Sequence, residues 1–226
     1  MRVCAVVSGG KDSWYAVYIA MLYGFEINPI VTFIPKKEDS YMLHNVNVAW
    51  VALQARVAGF KHYTFEVSGE REKEVEEMKK YLTEIVRKNS VEAVVCGAVK
   101  SEYQKYRIDM MCEELGVKSY APLWHKNEAM LLHEIVNSGF EFIITKIAAE
   151  GIEKWVGKKI NEGNVDEFIF DLKRLRVNLI GEGGEYETFL LDAPFFKRKI
   201  EVISSKIVKN DATLDFVFSS LKEIPK

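Results

Sequence analysis

Short unbroken apolar runs alternate with longer segments of helical periodicity over the first half of the chain. Val3–Val7 is continuously apolar, the pattern of a strand covered on both faces. Lys11–Leu22 then predicts a helix and Ile30–Ile34 a second buried strand. Between Val46 and Ala58, the residues Val46, Trp50, Leu53 and Val57 recur at helical spacing. Tyr63–Val67 predicts a third strand. Glu70–Lys88 predicts a long charged helix with Val75, Met78, Leu82 and Ile85 on one stripe. Ala93–Cys96 predicts a fourth strand. Glu102–Leu115 predicts a helix with Ile108, Met111 and Leu115 inward, closed by Gly116. Ser119–Leu123 reads as a short extended piece.

Repeated strand–helix alternation predicts a parallel sheet with right-handed crossovers and helices on both faces. Ligands of such sheets bind at the carboxyl ends of the strands. The loops after Val7, Ile34 and Cys96 are therefore expected to face one crevice. The pattern changes after about residue 135. Phe140–Thr145 predicts a strand, Val165–Leu175 a helix, and Tyr186–Leu191 alternates. Lys199–Val208 and Thr213–Ser219 look like antiparallel strands. The expected fold is α/β: a Rossmann-like domain over residues 1–135, plus a smaller α+β domain over residues 136–226.

Composition narrows the classes. The 226 residues are 48% hydrophobic and 28% charged, enough to bury a core without disulfide or metal staples. A net charge of -2 and a pI near 6.2 argue against broad electrostatic binding to nucleic acid or membrane. No apolar run approaches the ~20 residues that span a bilayer. The N-terminus runs straight into the first strand and its following motif, unlike a signal peptide. The expectation is a soluble cytoplasmic protein. Cys4, Cys96 and Cys112 form no CxxC and read as small core residues. The four histidines have no metal-ligand spacing. Glutamine occurs only at 54 and 104 in a Lys- and Glu-rich chain, in keeping with a thermophilic composition.

Ser8-Gly9-Gly10-Lys11-Asp12-Ser13 joins the first strand to the first helix. It is not GxxxxGK[ST], because Asp12 follows Lys11 and Ala5 holds the place of the first glycine. It still has the parts of a phosphate cradle. Gly9 and Gly10 allow backbone N–H groups to approach an anion, and the helix start adds a positive dipole end. Lys11 adds a charge, and Ser8 and Ser13 add hydroxyls. Asp12 would repel bare phosphate and suits a magnesium ion or a loop brace. The competing reading is a plain capped turn.

Two further segments carry candidate chemistry. Gly97-Ala98-Val99-Lys100-Ser101-Glu102-Tyr103-Gln104-Lys105-Tyr106-Arg107 follows the fourth strand. Gly97, Tyr103 and Gln104 are candidates for nucleotide binding, with Gly97 allowing close approach to ribose or adenine. Lys100 and Arg107 are candidate catalytic cations for phosphate. The alternative is a solvated helix start. Ser40–His44, after the second strand, is a candidate cover for the nucleotide or a plain loop. Gly181-Glu182-Gly183-Gly184-Glu185-Tyr186-Glu187-Thr188 sets three carboxylates around two glycines and a tyrosine. Carboxylates repel triphosphate but suit a cation, and Tyr186 offers a cation–π face. The competing reading is a polar turn leading into an edge strand.

SGGKDS resembles the pyrophosphate loop (PP-loop) of the N-type ATP pyrophosphatases, SGGxDS. That resemblance implies an adenine nucleotide α-hydrolase-like fold, attack on the α-phosphate of ATP, and release of the pyrophosphate held by the loop. With GAVKSEYQKYR, LGVKSYAPLW and GEGGEYETFLLDAPFFKRKI, the chain is similar to the diphthine–ammonia ligase family from Val3 to about Ile200. The resemblance implies an ATP-binding first domain, with the acidic loop, residues Glu182 to Thr188, serving diphthine. Diphthine is a trimethylammonium-bearing modified histidine of translation elongation factor 2.

The implied reaction amidates the diphthine carboxylate through an acyl-adenylate, giving diphthamide, AMP and pyrophosphate. Lys11, Asp12, Lys100 and Arg107 are then the expected catalytic residues, with Mg2+ on Asp12. Free ammonium is the simplest nitrogen source, because Arg2 excludes an N-terminal Cys nucleophile and little chain is left for a glutaminase. A homo-oligomer is compatible with the sequence, which does not set that state. The rival functions are another PP-loop adenylating enzyme acting on tRNA, and an ATP-binding sensor without chemistry.

Overall fold

A computed structural model describes residues 1–37, 43 and 45–226. Among these residues it contains two five-stranded sheets. The first has β1 (Arg2–Val6), β2 (Glu26–Pro35), β3 (His62–Val67), β4 (Ala93–Val95) and β5 (Lys118–Tyr120) in the order β3-β2-β1-β4-β5. Every pairing in it is parallel. Register runs from Arg2 opposite Glu26 to Val6 opposite Val31 on one side of β1. On the other side, Val3 faces Ala93 and Ala5 faces Val95.

Period-2 alternation sorts the helices. Val3, Ala5, Val7, Ala93 and Val95 share a core with α1 (Lys11–Leu22) and α2 (Val51–Ala58). Cys4, Val31, Phe33, Val94 and Cys96 share the opposite core with α3 (Lys73–Asn89) and α4 (Glu102–Glu114). The expected two-faced α/β sheet is what the chain forms. The second helical pattern is shorter than its periodicity predicts: Val48–Trp50 is a 3-10 turn, and α2 follows it.

The second sheet holds β6 (Glu141–Ile147), β7 (Lys159–Ile160), β8 (Tyr186–Asp192), β9 (Lys199–Lys209) and β10 (Leu214–Ile224). Its order is β7-β6-β10-β9, with β8 also on β6, and its pairings are antiparallel. Two helices accompany it, α5 (Glu128–Asn137) and α6 (Val165–Arg174), and they pack on each other. Helix α5 and strand β7 are absent from the sequence reading.

Helix α1 lies between the sheets, touching β2 and β4 on one side and β8 on the other. This position explains why α1 is apolar nearly all round. Trp14 is fully buried, edge-on to Phe196 at 5.5 Å, and Tyr15 is edge-on to Phe140 at 5.3 Å. One apolar cluster therefore runs from Val3 through Trp14 to Phe140 and Phe196. Chain order reverses between β1 and β4, with β2 on one side and β5 on the other. A switch point of this kind opens a crevice beyond the strands' carboxyl ends. Among the described residues, no helix is long and apolar enough to cross a membrane.

Candidate active site

A cleft of about 870 Å³, counted out to its open mouth, lies at this switch point. It is lined from both sheets. Ser8, Gly10, Lys11, Asp12 and Ser13 come from the β1–α1 loop and the first turn of α1. Gly97 and Gln104 come from the segment after β4. Glu182, Tyr186, Glu187 and Thr188 come from the acidic loop and the start of β8. Segments 8–13, 97–107 and 181–188, far apart in sequence, thus meet in one place. Val6, Met78, Cys96 and Ile108, expected only in the core, join Ala98 in an apolar wall. Of Ser40–His44, only Leu43 lies within the described residues, and it lines the cleft.

Gly9 does not line the cleft; it shapes the loop. Its φ is +94°, a conformation that favours glycine. Its carbonyl accepts the Gln54 side-chain amide at 3.0 Å and the Leu190 N–H at 2.9 Å. A trans peptide points its C=O and N–H in opposite directions. The Gly10 N–H is thereby turned away from the groups that hold the Gly9 carbonyl, and Gly10 lines the cleft. Gln54 is fully buried, also donates to Leu190 O at 2.8 Å, and accepts Trp14 Nε1–H at 2.8 Å. All three of these bonds are long-range in sequence, so local pattern offered no signal for Gln54.

Lys11 is the second unexpected placement. Its ammonium is buried and donates to Asp12 Oδ2 and to Ile180 O, both at 2.9 Å. It stands 5.0 Å from the Tyr186 ring centroid. The cation facing Tyr186 is thus the chain's own lysine. The Lys11 N–H donates to Thr188 Oγ1 at 3.1 Å, a second tie from α1 to β8. Asp12 Oδ1 is buried and has no hydrogen-bond partner among the described residues. A carboxylate oxygen left open on the cleft wall fits a magnesium ion that takes one protein ligand and several phosphate or water oxygens.

The acidic loop is braced from within. Asn178 Oδ1 accepts the N–H groups of Ile180 and Glu182 at 3.0 and 3.2 Å. Tyr186 donates its hydroxyl to Leu179 O at 2.7 Å. Burial, with the carboxylates of Asp12, Glu185 and Glu128 nearby, holds the Tyr186 phenol well above its ordinary range, so it stays a donor. Glu185 turns its carboxylate back to the Gly183 N–H at 2.9 Å. Glu187 pairs with Lys146 at 3.6 Å. Gly183, Gly184 and Glu185 lie outside the cleft lining.

Two candidate cations stand on carboxylates and do not line the cleft. Lys100 donates to Glu128 Oε1 at 2.5 Å. Arg107 donates to Glu72 Oε1 at 2.6 Å, and Tyr103 donates to the same oxygen at 3.2 Å. The Arg107 guanidinium lies 5.0 Å from the Tyr103 ring centroid. Gly97 makes its close approach to protein rather than to open cleft: a Cβ there would sit 2.6 Å from Ser13 N. Burial pushes the Cys96 thiol up to about 11 and the Cys4 and Cys112 thiols to about 12. None offers a thiolate nucleophile at neutral pH.

The chain matches known proteins along most of its length. Residues 1–119 match the diphthamide synthase N-terminal domain, and residues 127–217 match the diphthamide synthase C-terminal domain. Diphthine–ammonia ligases of Bos taurus and Homo sapiens are each 34% identical to the chain over 233 residues, covering 94% of it and 86% of the relative. The Danio rerio diphthine–ammonia ligase is 33% identical, covering 92% of this chain and 89% of its own. With both domain types in order along one chain, and a glycine-rich loop and an acidic loop meeting in one cleft, the protein belongs to the diphthine–ammonia ligase (diphthamide synthase) family.

Proposed function

We propose that this chain is an ATP-dependent ligase that amidates diphthine with ammonium, acting in the cytoplasm on translation elongation factor 2. The observation that carries the reading is the single cleft lined by an anion-accepting loop from one lobe and an acidic loop from the other. A sensor for ATP alone has no use for the second wall. Residues 1–135 would bind the nucleotide and residues 136–226 the protein substrate.

When bound, ATP supplies the activation: the diphthine carboxylate displaces pyrophosphate at the α-phosphorus, and ammonia then displaces AMP from the acyl carbon. The chain's own residues orient and stabilise. Ser8, Gly10 and the N-terminus of α1 are the candidates to hold the leaving pyrophosphate, while the Ser13 hydroxyl donates to Gly10 O at 3.0 Å and braces the loop. Asp12 would hold Mg2+ through its open Oδ1, spreading phosphate charge. The wall of Val6, Met78, Cys96, Ala98 and Ile108 accepts a flat, weakly polar ring such as adenine, with Gln104 at its edge. Lys100 and Arg107 are the candidates for the α-phosphate, each on release from the carboxylate it pairs with, Glu128 and Glu72. Glu185, Tyr186, Glu187 and Thr188 form the side from which diphthine and ammonium approach.

The test is release of AMP from α-labelled Mg–ATP with and without ammonium and diphthine-bearing elongation factor 2. AMP only when both are present is the expected result. AMP with the protein substrate absent would point to another acceptor, and ATP binding without any AMP would return the sensor reading.

A further inference from the structure

The segment after β4 and the acidic loop meet through one carboxylate. Glu182 Oε1 accepts the Ser101 N–H at 2.7 Å and the Val99 N–H at 3.4 Å. Both donors are backbone groups of the nucleotide side, whereas Glu182 belongs to the other lobe. The residue between them, Lys100, is drawn to Glu128 Oε1. Glu128 Oε2 in turn accepts the Leu179 N–H at 3.2 Å. Residues 99–101 are thus gripped along their backbone by the neighbourhood of residues 179–182.

That grip acts on the cleft. Ser101 is the N-cap of α4, and its side chain accepts the Gln104 N–H at 3.3 Å. Gln104 and Ile108 of α4 line the cleft, as do Gly97 and Ala98 just before the gripped residues. Displacing Ser101 would therefore disturb the stretch of wall from Gly97 to Ile108. The orphan N–H groups ahead of α4 find their acceptor in the opposite lobe rather than in their own loop.

We propose that Glu182 is a positioning residue: it holds the β4–α4 loop in the shape that accepts the nucleotide, so that the acidic loop sets the geometry of the ATP half of the site. This rests on the reading of the cleft as an ATP site. What the contact requires is an acceptor oxygen, not a charge. Glutamine supplies that oxygen at the same reach. A cation-binding duty for Glu182, by contrast, would require the charge.

The experiment uses the full chain with α,β-methylene-ATP and Mg2+ in an equilibrium binding measurement. KM for ATP and for ammonium in AMP release, and thermal unfolding, are measured alongside. Glu182→Ala is expected to weaken analogue binding about tenfold or more, the scale of losing hydrogen bonds to a charged acceptor. Glu182→Gln is expected to stay within about threefold of wild type, because it keeps the acceptor. KM for ammonium should be unchanged in both. If Glu182→Ala does not fold, Glu182→Met keeps the stem, loses the acceptor and gives the same reading. Analogue binding at the wild-type level in the alanine or methionine variant would overturn the proposal. So would a Glu182→Gln variant with raised KM for ammonium and unchanged analogue binding. If the wild-type chain does not bind the analogue, the ligase reading itself falls and this contact's role falls with it.

Discussion

The side-chain amide of Gln54 donates to the carbonyl of Gly9 at 3.0 Å. Gln54→Leu would remove that donor and leave the buried Trp14 Nε1–H without its acceptor. The expected cost is about 2–4 kcal/mol of unfolding free energy, from two to three buried polar groups losing partners. Nucleotide affinity should fall by about tenfold as the Gly10 N–H loses its fixed direction. Denaturant unfolding and equilibrium binding of α,β-methylene-ATP read the two effects separately. Unchanged affinity would mean that Leu190 alone fixes the peptide.

Gly97 stands where a methyl group has no room. An added Cβ would lie 2.6 Å from Ser13 N and 2.7 Å from Ser13 Cα, both backbone atoms that cannot swing aside. Gly97→Ala should cost about 1–3 kcal/mol of stability, as overpacking does. AMP release should drop by about tenfold or more, since either α1 or the β4–α4 loop must shift within the site. An alanine variant with wild-type melting and turnover would contradict this packing.

Asp12→Asn preserves shape and removes charge from a carboxylate, one of whose oxygens is buried with no hydrogen-bond partner among the described residues. AMP release is expected to fall by about a hundredfold, the scale of losing a preorganised electrostatic contact. The Mg2+ concentration for half-maximal rate should rise in parallel. Turnover at the wild-type level with an unaltered Mg2+ dependence would remove Asp12 from the metal site.

His62 carries the pH dependence that can be signed. Its Nε2 lies 2.9 Å from Thr32 Oγ1, whose own hydrogen is donated to Val7 O at 2.9 Å. Nε2 therefore carries a proton in the neutral ring. Burial lowers the His62 pKa below 6.5. Between that lowered value and 6.5, the unfolded chain binds the extra proton and the native chain does not. Stability should thus fall as pH drops below about 6.5 and level off once the native ring also protonates. Denaturant midpoints from pH 8 to 5 would show the slope, and His62→Gln should reduce it. The same slope in wild type and variant would place the titration elsewhere.

Much of this architecture is legible in sequence, for local reasons. Lys11–Leu22 is a helix over the predicted span, because the preceding glycines and the apolar run before them mark its start unambiguously. Helix α5 was equally available in principle: Asn127 caps it, and Leu131, Leu132, Ile135 and Val136 repeat at helical spacing. Its short apolar stripe falls where the pattern changes between the two sheets, so alternation of strand and helix does not point to it. The roles of Lys11 and Glu182 could not be read locally. Lys11 reaches a carbonyl 169 positions away, and Glu182 reaches N–H groups 81 and 83 positions back. Composition identifies a lysine and a glutamate beside glycines; only the packed chain shows that Lys11 reaches Ile180 O and that Glu182 reaches the N–H groups of Val99 and Ser101.

The apolar cluster that runs from Val3 through Trp14 to Phe140 and Phe196 also constrains traffic. Swinging the two sheets apart would wet the faces of α1, at a cost that grows with every aromatic side chain uncovered. Entry to the site is therefore expected through the cleft mouth rather than by parting of the sheets. On the proposed function, the protein substrate would offer its modified side chain on a projection that fits this mouth.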